Sequence, residues 1–444
     1  MRKGFIVIVV VMAGMVWQYI DHLGEGIKKE TIIVYPAAME DLHYEKSSAL
    51  SRLNAIREAM GMNTLIANDA LGKAAQNHAD YLVANHEKNH FEIEGHQRFT
   101  GVSPLSRVLY THYDTRQVSE NLSTSHESGR ASIDGLFSAI YHRFGFLDIS
   151  IDEIGVGVAQ SLSDSRNSAF VYNMGNSLIG DLCRGKGFSG VGRYAYKVCS
   201  EEKHRVGLEA LKRAQNYHQK QNPKIILYPY DGQTEVPPAF YAEEPDPLPD
   251  MEVSGFPVSI SFNHYHIDAV KLHTFKLFHV ETNREVPARL MDQMNDPHKR
   301  FTANEFTLFP LERLAYNSHY RAEISYESKQ QTIRKVWSFQ TVEITEDLYV
   351  VRERKETIEL RSDRSSVLYF KPLDSHDMLR DIRYPQEISL IFLDNHTIRL
   401  SFLFGAKRDF VIKAGDREVT VHVIPNPNPI IYPKEHPRKH LQNI

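Results

Sequence analysis

The chain has 444 residues, of which 42% are apolar, 10% aromatic and 24% charged, and its formal net charge is -4. These values are typical of a globular protein with several domains and exclude a disordered, collagen-like or coiled-coil chain. Because the chain has no basic domain, nucleic acid is excluded as a partner. Its two cysteines are too few for a disulfide-dense scaffold or a four-cysteine zinc site.

The N-terminus predicts an export signal. The basic residues Arg2 and Lys3 precede an uncharged apolar stretch from Phe5 to Trp17, which is short for a membrane-spanning helix. Residues 1–22 are therefore interpreted as a signal peptide or a retained signal anchor, and both alternatives stay open because no clear cleavage site follows. Either one predicts a protein that is secreted, periplasmic or associated with the cell envelope, anchored to a membrane only through this segment.

Helical and strand patterns alternate in the first part of the chain. Apolar residues recur at helical spacing in residues 47–61 and again after Asn68, which is predicted to cap the second helix. A third helix is predicted for about residues 131–143, followed by strands at 154–160 and 169–174. Helices on both sides of a small sheet predict an α/β/α sandwich for residues 45–178.

Residues 179–222 are predicted to form a disulfide-closed loop and a helical extension. Cys183 and Cys199 flank a glycine-rich stretch, and in an exported protein they are expected to pair, at a gain of about 3 kcal/mol by chain entropy. The alternative is two unpaired thiols, one of them a nucleophile. A charged helix is predicted for about residues 201–221.

The second half of the chain predicts all-β structure. Residues 223–251 are rich in proline and predict a stiff, extended linker. Short alternating runs beyond it predict one β-sandwich in residues 252–343 and a second in residues 344–424. The proline-rich basic residues 425–444 predict an exposed tail.

Six short motifs occur in a fixed order within residues 47–176. They are Leu53-Asn54-Ala55-Ile56-Arg57, Ala75-Gln76-Asn77-His78-Ala79, His90, Glu120-Asn121, His142-Arg143 and Glu153–Gly157. Together they resemble bacterial members of the CAP superfamily (cysteine-rich secretory, antigen 5 and pathogenesis-related 1 proteins, or SCP-like proteins). The resemblance implies an α/β/α sandwich CAP domain. Residues 252–343 are similar to bacterial Ig-like modules, and this similarity implies that Trp337 and Phe339 are core residues.

The CAP resemblance implies a cleft with two histidines and two glutamates, which by position are His90, Glu120, His142 and Glu153. Some members bind zinc or another divalent cation through the two histidines, so His90 and His142 are the metal ligands that it implies. The glutamates would orient the imidazoles or activate a metal-bound water. The alternative is a buried hydrogen-bonded network with a purely structural role.

The third predicted helix departs from the usual pattern of the family. Residues 137–142 stand where many members have a tryptophan and an Asn-Ser-Pro-Gly-His run, so the rim of the cleft is expected to differ. His78, on the apolar stripe of the second helix, is interpreted as a packed helix residue.

A zinc-protease pattern overlaps this region. His86-Glu87-Lys88-Asn89-His90 has the His-Glu-x-x-His spacing, and His96 stands at the third position of the longer pattern. The chemistry needs His86 and His90 on one helical face, whereas Asn85 and Asn89 are weak helix formers at the expected end of a helix. The longer pattern also needs glycine where Ile93 stands, so the protease interpretation is disfavoured.

No catalytic residue is assigned, because no serine-nucleophile elbow, phosphate-binding loop or dinucleotide fingerprint occurs in the sequence. The favoured function is an extracellular or cell-envelope binding module for a lipid, glycan or protein, with a cleft that binds a divalent metal or a small ligand. The alternatives are a metal-dependent, peptidase-like hydrolase that uses the same cleft, and a purely structural role.

Overall fold

The computed structural model describes residues 27–31, 38–403 and 408–425. The chain forms two compact units, one of residues Tyr35–Glu343 and a second that contains the strand at 27–31 and the residues from Ile344 onward. The predicted signal or anchor, residues 1–22, and the predicted tail beyond residue 425 lie outside the described residues. Within the described residues, no helix is long and apolar enough to span a bilayer.

The described helices all lie in the first unit. They are α1 (Leu42–Ala59), α2 (Asp69–Asn85), α3 (Pro104–Tyr110), α4 (Gly129–Ser138), α5 (Ile140–Phe146), α6 (Ser177–Arg184) and α7 (Leu208–Gln221).

The described strands are β1 (Ile27–Thr31), β2 (Ile66–Ala67), β3 (Ser119–Thr124), β4 (Glu153–Gln160), β5 (Ser168–Gly175), β6 (Tyr194–Ala195), β7 (Val206–Gly207), β8 (Ile225–Tyr228), β9 (Gln233–Val236), β10 (Ala239–Tyr241), β11 (Val253–Gly255), β12 (Val258–Phe262), β13 (Lys271–His279), β14 (Arg284–Glu285), β15 (Ala288–Met291), β16 (Glu305–Pro310), β17 (His319–Ser328), β18 (Gln331–Thr341), β19 (Asp347–Val351), β20 (Lys355–Arg361), β21 (Ser366–Phe370), β22 (Asp381–Pro385), β23 (Ile388–Asp394), β24 (Thr397–Phe402), β25 (Phe410–Ala414) and β26 (Arg417–Ile424).

Residues 42–175, which we call the head, form a four-stranded sheet between helices, as the sequence predicts. Its strand order is β2-β4-β5-β3, with β2 parallel to β4 and the other pairs antiparallel. On one face, Gly155 and Gly157 of β4 meet α2 so closely that a Cβ atom would lie about 2 Å from its backbone. On the other face, apolar residues of α1 and α4 share a buried core with the sheet. The Gly-Val-Gly motif is therefore needed for helix–sheet packing.

Two predicted helices are confirmed, and a third is divided. The Asn68 side chain accepts a hydrogen bond from the backbone N–H of Leu71 and caps α2, as predicted. The predicted single helix at residues 131–143 is instead α4 and α5, separated at Ala139, whose ψ of 111° is extended. No glycine or proline marks this break, because it depends on contacts that α5 makes with distant residues.

The cysteines form the predicted disulfide between Cys183 and Cys199. The loop that it closes contains β6, which pairs antiparallel with β7 beyond the loop in a short ribbon. The helix predicted from residue 201 begins later, at Leu208, because Val206 and Gly207 pair in this ribbon.

The proline-rich residues 223–251 are not only an extended linker. Between the prolines they contribute three strands, since β8 pairs with β12, β9 with β18 and β10 with β11. The prolines lie outside these strands, where no ladder N–H is required. The expectation of a spacer is therefore corrected for residues 225–241, which belong to the sheets that follow.

The first β-sandwich consists of two sheets, with strand orders β15-β16-β12-β8 and β14-β13-β17-β18-β9. Trp337 and Phe339 are each 2% exposed, which confirms them as core residues. This core is continuous with the core of the head. The ring centroids of Phe137 in α4 and Tyr228 in β8 lie 4.9 Å apart, so head and sandwich are packed as one unit.

The second unit is a β-sandwich with its own apolar core. Its sheets have the orders β19-β21-β24-β23 and β1-β22-β25-β26-β20. β1, which precedes the head in the sequence, pairs antiparallel with β22 at the edge of the second sheet. The all-β region is confirmed, and it is consistent with Ig-like domains, but this edge strand comes from outside residues 344–424.

Candidate functional site

A buried network of charged and polar side chains connects α2, the loop after it, α3 and β3. Its members are His78, Glu92, Arg107 and Glu120, with His90 at its outer end. The side chains of the first four are at most 1% exposed, and that of His90 is 36% exposed. Two of the four predicted cleft residues, His90 and Glu120, are therefore brought together.

Glu120, at the start of β3, is the most constrained carboxylate of the network. Both of its oxygens accept a hydrogen bond from Nη2 of Arg107 at 2.8 Å, and Oε1 lies 2.9 Å from Nδ1 of His90. With its amide nitrogen turned toward Glu120, Asn173 of the neighbouring strand donates to Oε2 at 3.0 Å. Burial alone would raise the pKa of Glu120, but the hydrogen bond from His90 and the charge of Arg107 outweigh it and lower the pKa. Glu120 is therefore ionised at neutral pH.

Glu92, in the loop after α2, is held by hydrogen bonds in a similar way. Its Oε1 lies 3.0 Å from Nδ1 of His78, and its Oε2 accepts the backbone N–H groups of Thr100 and Gly101 at 2.7 and 3.2 Å. Burial raises its pKa, and these hydrogen bonds, the one from His78 first, lower it further than burial raises it. His78 is buried as predicted, but it is also a hydrogen-bonding member of the network.

His90 is the outward-facing member of the network. Because Glu120 holds Nδ1, that nitrogen carries the proton when the ring is neutral, and Nε2 presents its lone pair. A ring nitrogen in this state can accept a hydrogen bond or coordinate a cation.

His142, in α5, lies beside a different carboxylate. Its Nδ1 is 3.8 Å from Oε2 of Glu243, which belongs to the proline-rich stretch. Both atoms are buried and have no hydrogen-bond partner. The other oxygen of Glu243 accepts the backbone N–H of Ile140 at 3.0 Å. A residue of the predicted linker thus covers the side of the head where His142 lies.

Glu153, at the start of β4, takes part in a third set of contacts. Its Oε1 accepts the Tyr113 hydroxyl at 2.5 Å and its Oε2 accepts the Asn68 side-chain amide at 2.8 Å. Burial raises the pKa of Glu153, although these hydrogen bonds partly offset the effect. Since Asn68 caps α2, Glu153 ties the helix to the sheet.

The zinc-protease pattern does not lie on a helix. α2 ends at Asn85, and His86 adopts a left-handed conformation with φ of 57° as its C-cap. Glu87 and His90 therefore lie in the loop that follows. Nδ1 of His96 lies 3.4 Å from the Tyr81 hydroxyl, which is not a metal-binding arrangement. The two imidazoles are not presented on one helical face, as the protease chemistry requires.

The described residues do not assemble a metal site around the predicted ligands. Among them, no group of three or more histidine, cysteine, aspartate or glutamate side chains is placed to hold a metal ion. Nδ1 of His90 lies 2.9 Å from Glu120 and Nδ1 of His142 lies 3.8 Å from Glu243, so the two predicted metal ligands face different carboxylates.

Sequence reasoning missed Arg107 and Glu243. The position of Arg107 had a usable signal, since Ser103 and Pro104 are a typical N-cap and first residue, and Ser103 with Ser106 forms a capping box at the start of α3. A helix predicted to begin at Pro104 would have placed Arg107 one turn after its start. Glu243 had no local signal, because its partners Ile140 and His142 are far away in the sequence.

The sheet between two helical layers, with His90 and Glu120 at its end, agrees with the α/β/α fold that the CAP resemblance implies. The comparison with protein families agrees, since residues 50–174 match the model of CAP, the cysteine-rich secretory protein family. This part of the chain is a CAP domain.

Solved structures with similar folds include two surface or extracellular proteins. An outer surface protein from Borrelia burgdorferi is 20% identical over 33% of this chain and 98% of its own, with a TM-score of 0.26. An extracellular protein containing an SCP domain from Bacillus anthracis is 17% identical over 31% of this chain and 44% of its own, with a TM-score of 0.27. No curated protein matches the chain.

Proposed function

We propose that this protein is an exported CAP-domain binding module, secreted or associated with the cell envelope, which contacts its ligand through His90. Export is supported by the signal-like N-terminus, by the disulfide between Cys183 and Cys199 and by the extracellular and outer-surface proteins whose structures are similar.

The proposal of binding without catalysis rests on the ionised state of Glu120 and on the hydrogen bonds that it accepts. A general base must be able to accept a proton near the working pH, and the contacts with Arg107 and His90 lower the pKa of Glu120. Both of its oxygens already accept hydrogen bonds from Arg107. Glu120 therefore holds the His90 ring in one orientation, and Nε2 of that ring is the group offered to a ligand.

A metal-dependent, peptidase-like hydrolase is the second candidate. It is favoured by the carboxylate behind His90, which is the arrangement commonly found behind a metal-binding imidazole. It would require His90 and His142 to share an ion, although each lies beside its own carboxylate.

A zinc titration of the purified full chain distinguishes the two candidates. We expect no tight zinc binding by the unmodified chain or by the variants His86→Ala, His90→Ala and His142→Ala. Tight binding that both His90→Ala and His142→Ala abolish, with peptide hydrolysis lost to a chelator and restored by zinc, would establish the hydrolase instead. Tight binding lost only in His86→Ala would restore the zinc-protease interpretation.

A further inference from the structure

A cavity of about 480 Å³ lies beside the start of β3 and the end of β5, and it involves none of the four predicted cleft residues. Its buried part is lined by the apolar side chains of Ile151, Met174 and Ile179, while Asn216 and His264 at its edge are exposed. The volume is in the range of small-molecule sites in proteins. The cavity therefore has room for a small ligand and opens to solvent at this edge.

Two buried polar atoms of this cavity have no partner in the described structure. Gln219, on α7, is only 9% exposed, and its side-chain oxygen accepts no hydrogen bond. The hydroxyl of Ser119, on the first residue of β3, is likewise buried and unpaired. An unsatisfied buried polar group costs about 1–3 kcal/mol, so such groups in a lined cavity indicate a polar ligand.

The charges of the lining select against an anion. No lysine or arginine lines the cavity, and Asp148 is its one carboxylate. One oxygen of Asp148 already accepts the backbone N–H and the hydroxyl of Ser150, each at 2.7 Å. A phosphate, sulfate or carboxylate group would find no compensating cation here.

We propose that this cavity binds a neutral saccharide unit. A sugar hydroxyl both donates and accepts, which matches the accepting oxygen of Gln219, the hydroxyl of Ser119 and the amide of Gln215, which also lines the cavity. The C–H groups of a sugar ring can pack against an apolar side chain such as Val118, which lines the cavity and is partly exposed. Because the site shares no residue with the His90 cleft, it stands independently of the function proposed above.

The test is ligand-observed saturation-transfer NMR on the full chain with four neutral sugars: glucose, galactose, mannose and N-acetylglucosamine. We expect at least one to receive saturation from the protein. Gln219→Leu and Gln215→Ala should each weaken its binding about three- to tenfold, the loss of one neutral hydrogen bond. Lys212→Ala is the matched control, because Lys212 is an exposed residue of the same helix that does not line the cavity.

Thermal unfolding of each variant shows whether it is folded. If Gln219→Leu does not fold, Gln215→Ala alone tests sugar binding. This variant is expected to fold, because the Gln215 side chain makes no hydrogen bond in the structure. The proposal is overturned if none of the four sugars receives saturation, or if both variants bind as the unmodified chain does. Stronger binding of glucose 6-phosphate than of glucose would contradict the neutral character of the site. Binding of acetyl-trialanine amide in place of the sugars would identify a peptide site.

Discussion

Glu243 accepts a hydrogen bond from the backbone N–H of Ile140 at 3.0 Å and thereby caps a helix that lies about one hundred residues before it in the chain. The helix α5 has no side-chain cap from its own N-cap residue, Ala139. A segment of the all-β region therefore completes a helix of the CAP domain, next to His142.

The first prediction concerns this cap. Glu243→Ala should lower the free energy of unfolding of the Tyr35–Glu343 unit by about 1 kcal/mol, the usual cost of losing an N-cap side chain. Glu243→Gln keeps a carbonyl oxygen that can accept from Ile140 and should recover most of the loss. Urea unfolding of the full chain measures both, and equal loss in the two variants would show that the charge facing His142 matters more than the cap.

Arg143 should be among the least replaceable residues of this unit. It is fully buried, and it donates to the backbone oxygens of Phe137 and Pro257 at 2.6 and 2.8 Å and to the Ser259 hydroxyl at 3.0 Å. Its guanidinium carbon lies 4.8 Å from the centroid of the Tyr228 ring. Arg143→Met leaves these acceptors without a donor and should cost about 3 kcal/mol.

Arg143→Lys should rescue little of that loss, because an ammonium group cannot reproduce the planar fork. Arg130→Met, at an exposed position of α4, is the matched control and should change stability by less than about 0.5 kcal/mol. Urea unfolding midpoints compare the three variants. An Arg143→Met chain as stable as the control would mean that head and sandwich are held together without this residue.

The pH dependence of stability should report on Glu120. Its pKa is lowered in the folded protein, so the stability that it contributes is complete above the ordinary pKa of 4.5 and is lost as the pH falls through the lowered value. Glu120→Gln should therefore be less stable than the unmodified chain at pH 7, by about 2 kcal/mol, and the difference should shrink below pH 4.5.

Glu94→Gln is the control for this measurement, since Glu94 is an exposed residue of the same loop region. Its unfolding curves should follow those of the unmodified chain at every pH. If the gap between Glu120→Gln and the unmodified chain is constant with pH, the pairing of Glu120 with Arg107 and His90 does not lower its pKa.

Removing the disulfide should destabilise the region around α6 and α7. The bond joins residues 16 apart, for which chain entropy gives about 3 kcal/mol. Cys199 is 1% exposed and packs in a small apolar cluster with Ile179 and Leu211. A Cys183→Ser, Cys199→Ala double variant should unfold at lower denaturant, and the reduced unmodified chain should behave like it. Unchanged unfolding on reduction would contradict the prediction.

The strands of the β-sandwiches could be predicted from the sequence because the apolar pattern that favours each strand is a local feature. Short runs rich in apolar and β-branched residues favour strands, and Val258–Phe262, Ser366–Phe370 and Thr397–Phe402 are strands of the two sandwiches. The cap of α2 by Asn68 is also a local signal. The pairing of His90 with Glu120 agrees with the cleft that the CAP resemblance implies.

Other features depend on residues that are distant in the sequence. The break at Ala139 has no breaker residue, and it is matched by the distant contacts of Ile140 and Arg143. His142 carries a family motif, yet its surroundings are set by Glu243, whose local sequence predicts a spacer. A motif identifies the side chain, but it does not identify what later segments of the chain place against it.

The edge position of β1 has a consequence for the order in which the chain is completed. A strand that is made near the beginning pairs with β22, which is made only after the whole CAP domain and the first sandwich. During synthesis, β1 must therefore wait unpaired until β22 has emerged. Deleting residues 27–31 would uncover the edge of β22 and leave an open template for association with another copy.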